Sequence, residues 1–513
     1  MAKSVIIIGA GIAGLSAGCY LQMNGYRTQI FELHDKPGGL CTSWKRKGYT
    51  IDGCIHWLLG ARPGIDFYRF WEELGAVQGR TMIEHEEYMR IEGKEGQAFV
   101  LYTDANRLEQ HMKELAPEDA DTIDELLKGA ERAGRLDTSS MKAPEVQSLA
   151  EKAGSMLKML PHLPFVMKWA KFPFGEYGQR FKNPFLREAF AVLTEDVAGM
   201  PAFGLFNSIA WYGKGVTGYP LGGSLAFARA IERRYLDLGG EIHYGDRVSR
   251  ISVEGDRAVG VRLEDAPVRA GAPGGTGGTE HRGDIVISAA DGHATIFDML
   301  EGKYVDDKIR GYYDELPLFP PLVHMALGVA RTFDDVAPSI EGTKFPLDEA
   351  VTIAGRELTH LSVQIYSFDP TLAPEGKTVL RVMLTADYQY WKKLKPDRER
   401  YRAEKKQVAE TVIAQLDRRY PGLAAQVEMV DVATPTTFER YTGNWQGNHQ
   451  GWLPTTEHFG LRMSKTLPGL KNFYMAGQWV EPGGGLPLAA VSGRYVTQII
   501  CKADRKPFVT TVP

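Results

Sequence analysis

Three glycines and one acid near the start of the chain have the spacing for nucleotide chemistry. Gly9, Gly11 and Gly14, with Ala13 among them, are followed by Glu32 eighteen residues after Gly14. Gly9 suits a tight turn, Gly11 leaves room for a pyrophosphate at the backbone, and Gly14 permits close packing of helix on strand. Glu32 stands where a carboxylate can accept the ribose hydroxyls of an adenosine. The elements that must hold these residues are also legible. Val5-Ile6-Ile7-Ile8 is a β-branched run, a helical stretch extends to about Asn24-Gly25, and Thr28-Gln29-Ile30-Phe31 is a second apolar run ending on the acid. Strand, glycine turn, helix, strand and acid form a dinucleotide-binding βαβ unit, with the helix N-terminus offering free N–H groups to the phosphates. Residues 4–21 carry no charge and would also suit an anchor or signal segment. The glycine spacing, Glu32 and the lack of a small-residue cleavage site favour the nucleotide.

Composition narrows the remaining chemistry. A chain of 513 residues has room for two or three domains, and 43% hydrophobic with 24% charged residues is ordinary for a globular protein. The net charge of −4 gives no footprint for nucleic acid. Cys19, Cys41, Cys54 and Cys501 form no CxxC pair, which suggests a reduced, cytoplasmic setting without disulfides. Twelve histidines include no HExxH, so no metal site is expected. Gly222-Gly223-Ser224 does not make a nucleophile elbow.

Further glycine blocks recur along the chain. Gly38-Gly39-Leu40 lies six residues past Glu32, where backbone amides could approach a pyrophosphate from the side opposite the first turn, or form a plain surface turn. A strand and turn follow at Tyr49-Thr50-Ile51-Asp52-Gly53-Cys54-Ile55-His56-Trp57. Pro220-Leu221-Gly222-Gly223 opens a helix, Asp246-Arg247-Val248-Ser249 enters a strand, and Asp284-Ile285-Val286-Ile287 adds another. Asn472-Phe473-Tyr474-Met475-Ala476-Gly477-Gln478 is a last strand, followed by Glu481-Pro482-Gly483-Gly484-Gly485-Leu486-Pro487 and a helix from about Ala489 to Cys501. The glycine-rich run 271–278 has no strand leading in and no helix leading out, and is expected to be a hairpin tip rather than a phosphate loop.

Together these blocks resemble the FAD-dependent phytoene desaturase, carotenoid isomerase and retinol saturase family over most of the chain. The resemblance implies FAD as cofactor, with Glu32 on the adenosine ribose, Val248 meeting the adenine through its backbone, and His56 in an early flavin-contacting block. It places Gly477, Gln478, Gly485 and Leu486 along the ribityl chain and flavin ring. Many relatives carry Asp where this chain has Gln478, whose amide can still bond a hydroxyl or phosphate oxygen.

The implied architecture is α/β. A Rossmann-type FAD-binding domain is assembled from residues 1–105, 215–305 and 440–513. An α+β substrate domain is built from the inserted residues 106–214 and 306–439. In the second insertion the runs at 322–329 and 378–384 are strand-like, and residues 398–416 look like a solvated helix. In the first, residues 152–175 have no acid but hold Lys152, Lys158, Lys168 and Lys171 among methionine, leucine, phenylalanine and Trp169. Pro161, Pro164 and Pro173 rule out one long helix. Two readings stand: a core helix pair rimmed by lysines, or a segment within 152–190 that docks on the inner face of a membrane.

The resemblance implies hydride exchange between flavin and a long conjugated isoprenoid in an apolar tunnel, so few protein groups need do chemistry. Glu481, in the C-terminal glycine block, and His56 are the candidates for a proton role, with Tyr49 and Tyr441 weaker; Arg440, Thr442 and Trp445 could line the tunnel. The activity expected is desaturation, saturation or cis–trans isomerisation of a polyene lipid. The alternatives are an amine or amino-acid oxidase on the same scaffold, and a non-catalytic escort of prenylated proteins.

Overall fold

The computed structural model describes residues 2–136, 141–264 and 278–513. The β-branched run at the N-terminus becomes strand Ser4–Ile8, the middle of a five-stranded sheet. Across this sheet the strands run Glu241–Tyr244, Arg27–Glu32, Ser4–Ile8, Ile285–Ser288 and Phe473–Met475, all parallel. Strands Ser4–Ile8, Ile285–Ser288 and Phe473–Met475 are almost continuously apolar because both faces are covered. Val5, Ile7, Ile30, Ile285 and Ile287 pack on helices Ile12–Met23, Gly223–Asp237 and Leu486–Ala503. Ile6, Ile8, Phe31 and Val286 face a second core that includes Val248, Ile251 and Val261 of a three-stranded antiparallel sheet. The α/β class expected from the sequence is the class observed. The glycine-rich run 271–278 falls almost wholly outside the described residues, between strands Arg257–Leu263 and Glu280–Arg282, which pair antiparallel.

A seven-stranded mixed sheet makes the second layer. Its order is Val427–Ala433, Leu322–Val329, Thr378–Thr385, Arg356–Ile365, Thr343–Ile353, Glu87–Glu92 and Ala98–Tyr102. The last two strands, read from sequence with the first FAD-binding segment, belong here because Arg90 and Ile91 pair in parallel with Thr343 and Lys344. Helix Arg398–Arg419 also departs from the reading of a merely solvated stretch. Val408, Ala409, Val412 and Leu416 are buried in this sheet's core, an apolar stripe that its many charges hide in the sequence.

The first insertion is divided between inside and outside. Proline breaks it into helix Leu149–Met159, a short turn and helix Leu163–Ala170. Phe165, Trp169 and Ala170 are buried, Phe165 and Trp169 within a core cluster around Phe206. Leu149, Met156, Leu157, Leu160, Leu163 and Met167 are exposed, Met156 at 71% and Leu157 at 69%. Helix Pro184–Thr194, at the end of the span read as docking, is core, with Leu186, Ala189 and Phe190 buried. Among the described residues no helix is long and apolar enough to cross a membrane.

Candidate functional site

The glycine turn has the geometry its spacing predicts. Gly9 has φ +96° and donates its N–H to Phe31 O at 2.8 Å, and a Cβ on Gly14 would lie 2.0 Å from Gly9 O. Gly11 caps the helix and differs in kind, because a Cβ there would meet nothing within 4 Å. Neighbouring protein atoms do not require it to be glycine. Across from it, Gly38 bridges to Gly11 and donates to Ala10 O at 2.9 Å, while a Cβ on Gly39 would stand 3.4 Å from Gly11 Cα. Leu40 follows, half-buried. Gly477, φ +106°, closes the group with its Cβ position 3.7 Å from Ala13. Glycine backbone and a helix N-terminus, with no side chain between them, are surroundings a pyrophosphate fits.

Glu32, at the strand end, is 5% exposed and already bonded: its carboxylate accepts from Ala10 N at 2.6 Å and His34 N at 2.8 Å. Burial pushes its carboxyl above the ordinary range, against the amides of His34, Ala10 and Leu33. Alongside lies a 690 Å³ cavity whose lining includes Gly9, Phe31, Leu33, Val248, Asp291, Arg440, Thr442 and Trp445. Asp291, raised by burial to about 7, accepts from Ala294 N and Trp445 N at 2.8 Å each.

The C-terminal block is pinned by its own helix. Gly477 N donates to Ser492 Oγ at 2.7 Å; Gln478 and Leu486 are half-buried, and Gly485 has φ +84°. A Cβ on Gly484 would come within 2.9 Å of Gln450 Oε1 and 3.1 Å of Phe319. Glu481, a candidate for the proton role, is ion-paired with Lys465 at 2.6 Å, and Lys465 is only 4% exposed. Of the weaker candidates, Tyr49 is buried with its hydroxyl on Glu428 at 2.7 Å, and Tyr441 is exposed.

His56 stands apart from the glycine turn. Its Nε2 lies 2.8 Å from Glu341 Oε1, and with Trp57, His85, Tyr212 and Ile340 it lines a small cavity of 60 Å³. Glu341 was not legible as a site residue, because it lies far from His56 in the chain and shares no motif with it. Asp52 was also missed. Its carboxylate accepts from Ser224 N at 2.6 Å and Cys54 N at 3.0 Å, tying the hairpin to the Gly223 helix. A Cβ on Gly223 would overlap that carboxylate at 1.9 Å. Asp52 followed by Gly53 was the available signal. Among the described residues no cluster of metal-ligating side chains occurs.

Comparison with known proteins decides the family. The sequence pattern of flavin containing amine oxidoreductases matches residues 12–501. The chain belongs to that family. It is an FAD-dependent oxidoreductase, and its relatives are of the kind the glycine blocks resemble. A phytoene desaturase (lycopene-forming) from Paracoccus sp. (strain N81106 / MBIC 01143) is 26% identical over 528 residues, covering 97% of each chain. A chloroplastic prolycopene isomerase from Daucus carota is 23% identical over 503 residues, covering 95% of this chain and 78% of that one. In fold the chain is similar to an oxidoreductase from Methanosarcina mazei, with a TM-score of 0.56 at 18% identity over 96% of this chain and 100% of the other. A triple mutant of putrescine oxidase gives 0.59 at 13% identity over 98% and 99%.

Proposed function

We propose that this FAD-dependent oxidoreductase acts on carbon–carbon bonds of a long apolar polyene or isoprenoid lipid, by desaturation, saturation or cis–trans isomerisation. The observation that carries the reading is full-length similarity to proteins named phytoene desaturase and prolycopene isomerase. The competing amine-oxidase reading has the breadth of the family, which takes in both, and fold likeness at 13% identity behind it, but no curated relative reported above.

On this reading Gly11, Ala13, Gly14, Gly38, Gly39 and Leu40 hold the pyrophosphate, Gly9 and Val248 border the adenosine, and Glu32 turns toward the ribose. Gly477, Gln478, Gly485 and Leu486 border the ribityl chain and flavin. FAD supplies two-electron acceptance or donation; the residues orient it and exclude water. Residues 1–105, 215–305 and 440–513 then serve the cofactor and the insertions serve the lipid, apart from the strands at 87–102.

The same reading gives the exposed apolar surface of residues 149–167 an occupant, a lipid bilayer. Leu149, Met156, Leu157, Leu160, Leu163 and Met167 face outward with Lys152, Lys158 and Lys171 beside them. Apolar side chains ringed by lysine suit an anionic headgroup boundary, where a greasy substrate would be collected. The test is the visible spectrum of purified protein, acid release of the flavin, and anaerobic incubation with phytoene or prolycopene in liposomes plus a quinone. A chromatographic shift of the polyene is expected. FAD-loaded protein that converts neither, yet oxidises amines, would overturn the reading.

A further inference from the structure

The 690 Å³ cavity beside Glu32 has a buried floor and an exposed rim. Ile8, Phe31, Val248 and Asp291 on its lining are buried, whereas Arg247, Lys392, Lys395 and Arg440 on the same lining are exposed. Gly9 of the glycine turn borders it as well. The opening is therefore on the side of the four cations, and it leads to the turn. Its volume is that of a small-molecule site, roughly 300–1,000 Å³. An opening ringed by charge suits a polar anion and does not suit a polyene.

Two helices build the rim. Tyr388–Leu394 carries Lys392, with Lys395 at its C-cap, and Pro435–Thr442 carries Arg440. Both helices are fixed in place. Trp391 is buried in the core of the seven-stranded sheet, and Asp387 caps its helix by accepting from Gln389 N at 2.7 Å. Glu439 accepts from the Tyr388 hydroxyl at 2.6 Å and from Lys395 Nζ at 3.3 Å, which ties one helix to the other.

The charges at the rim are not evenly matched. Glu439 and Asp298 are the carboxylates on the lining outside the floor. Glu439 answers Lys395, and Arg247 has Glu264 at 3.7 Å. Among the described residues Lys392 and Arg440 have no carboxylate within 4 Å. Lys392 Nζ lies 5.3 Å from the centre of the Tyr388 ring, and Arg440 Cζ 5.4 Å from that of Tyr441. One exposed cation without a partner is ordinary. Two on the lining of one cavity that reaches a glycine turn set a local positive field, against a chain whose net charge is −4.

We propose that this rim captures FAD by its adenosine diphosphate half, with Lys392 and Arg440 as the capture residues and Arg247 assisting. The inference rests on the reading that places the adenosine at Gly9 and Val248. The dianionic pyrophosphate is drawn to the opening by the rim, and the adenosine is received by the apolar floor of Ile8, Phe31 and Val248. Because exposed charges act at a distance and are screened by salt, the rim governs the rate of association more than the rate of loss.

The test uses full-length protein freed of flavin, with FAD association followed by flavin fluorescence at low and high salt. Lys392→Glu with Arg440→Glu should slow association about tenfold at low salt, the lower end of what steering supplies. The gap should close at about 1 M salt, where charges are screened within about 3 Å, and dissociation should change by less than about twofold. Lys94→Glu makes the same kind of charge change between strands Glu87–Glu92 and Ala98–Tyr102, at the far edge of the seven-stranded sheet, and should have no effect. Lys392→Gln with Arg440→Gln serves if the reversal variant fails to fold, and should slow association about threefold. ADP, the probe for the half-site, should compete with FAD and weaken with salt. Association in the reversal variant as fast as in Lys94→Glu, or a deficit that salt does not remove, overturns the rim alone. ADP that does not compete with FAD removes the adenosine from Gly9 and Val248, and the reading beneath the inference fails.

Discussion

Gly493 and Ala13, 480 positions apart in sequence, meet backbone to backbone. A Cβ on Gly493 would lie 2.5 Å from Ala13 O and 2.6 Å from Ala17 N. Helix Leu486–Ala503 therefore sits directly on Ile12–Met23, the helix whose N-terminus faces the glycine turn. Because those atoms are backbone, they cannot rotate away. Gly493→Ala should destabilise the protein by about 1–3 kcal/mol or more, as overpacking does, and lower FAD content. Gly154→Ala, on a helix where a Cβ meets nothing within 4 Å, should leave the melting temperature unchanged or raise it slightly. Thermal unfolding of the two variants decides it; equal melting temperatures would mean that the helix contact is not tight.

Glu32 accepts one amide on each carboxylate oxygen, from Ala10 and His34, which leaves lone pairs for ribose hydroxyls, and its role as ribose acceptor is judged by loss of flavin. Glu32→Ala should purify colourless or flavin-poor, with FAD affinity weakened by tenfold or more, about 1.4 kcal/mol. Normal occupancy on absorbance and acid release would refute the assignment.

Glu481→Gln separates structure from catalysis. Lys465 would lose a partner at 2.6 Å and keep Glu145 at 3.3 Å and the Tyr495 ring at 5.4 Å. A stability loss of about 1–3 kcal/mol is expected, while turnover per bound flavin stays within a few-fold. A collapse of turnover at full flavin occupancy would return Glu481 to the chemistry.

Met156→Glu with Leu157→Glu should abolish co-sedimentation with anionic liposomes. Both side chains are exposed, so stability should change by no more than about 0.5 kcal/mol. Wild-type pelleting should weaken with salt; pelleting that survives the double substitution argues against docking.

Acid should unfold the protein through buried neutral histidines. Burial lowers His85 to about 4, and burial with the Arg381 charge lowers His324 to about 3. Each contributes stability that is complete above the unfolded value near 6.5 and is lost as pH falls toward the folded value. Between those two values each histidine costs roughly 1.4 kcal/mol for every pH unit of acidification. Denaturant midpoints should fall between pH 6.5 and 4, and His324→Gln should flatten that fall. A midpoint independent of pH across this window would contradict it.

The dinucleotide unit was legible because the contacts that define its motif are local. Gly9, Gly11, Gly14 and Glu32 take their positions from one strand, one turn and one helix, whose periodicities are written in adjacent residues. The remaining glycine blocks could be recognised as motifs, but not their meeting; the approach of Gly39 to Gly11 depends on how separate segments pack. Residues 152–175 illustrate the limit, since composition alone could not separate Trp169, which turns inward, from Met156 and Leu157, which turn out.

The chain's own order therefore determined a dinucleotide-binding start, an α/β class and the family resemblance, all of which rest on short-range spacing. Only the tertiary structure paired Glu481 with Lys465 and His56 with Glu341. A side chain's charge partner is set by which distant strands and loops are brought within a few ångströms, and that distance has no counterpart in sequence spacing.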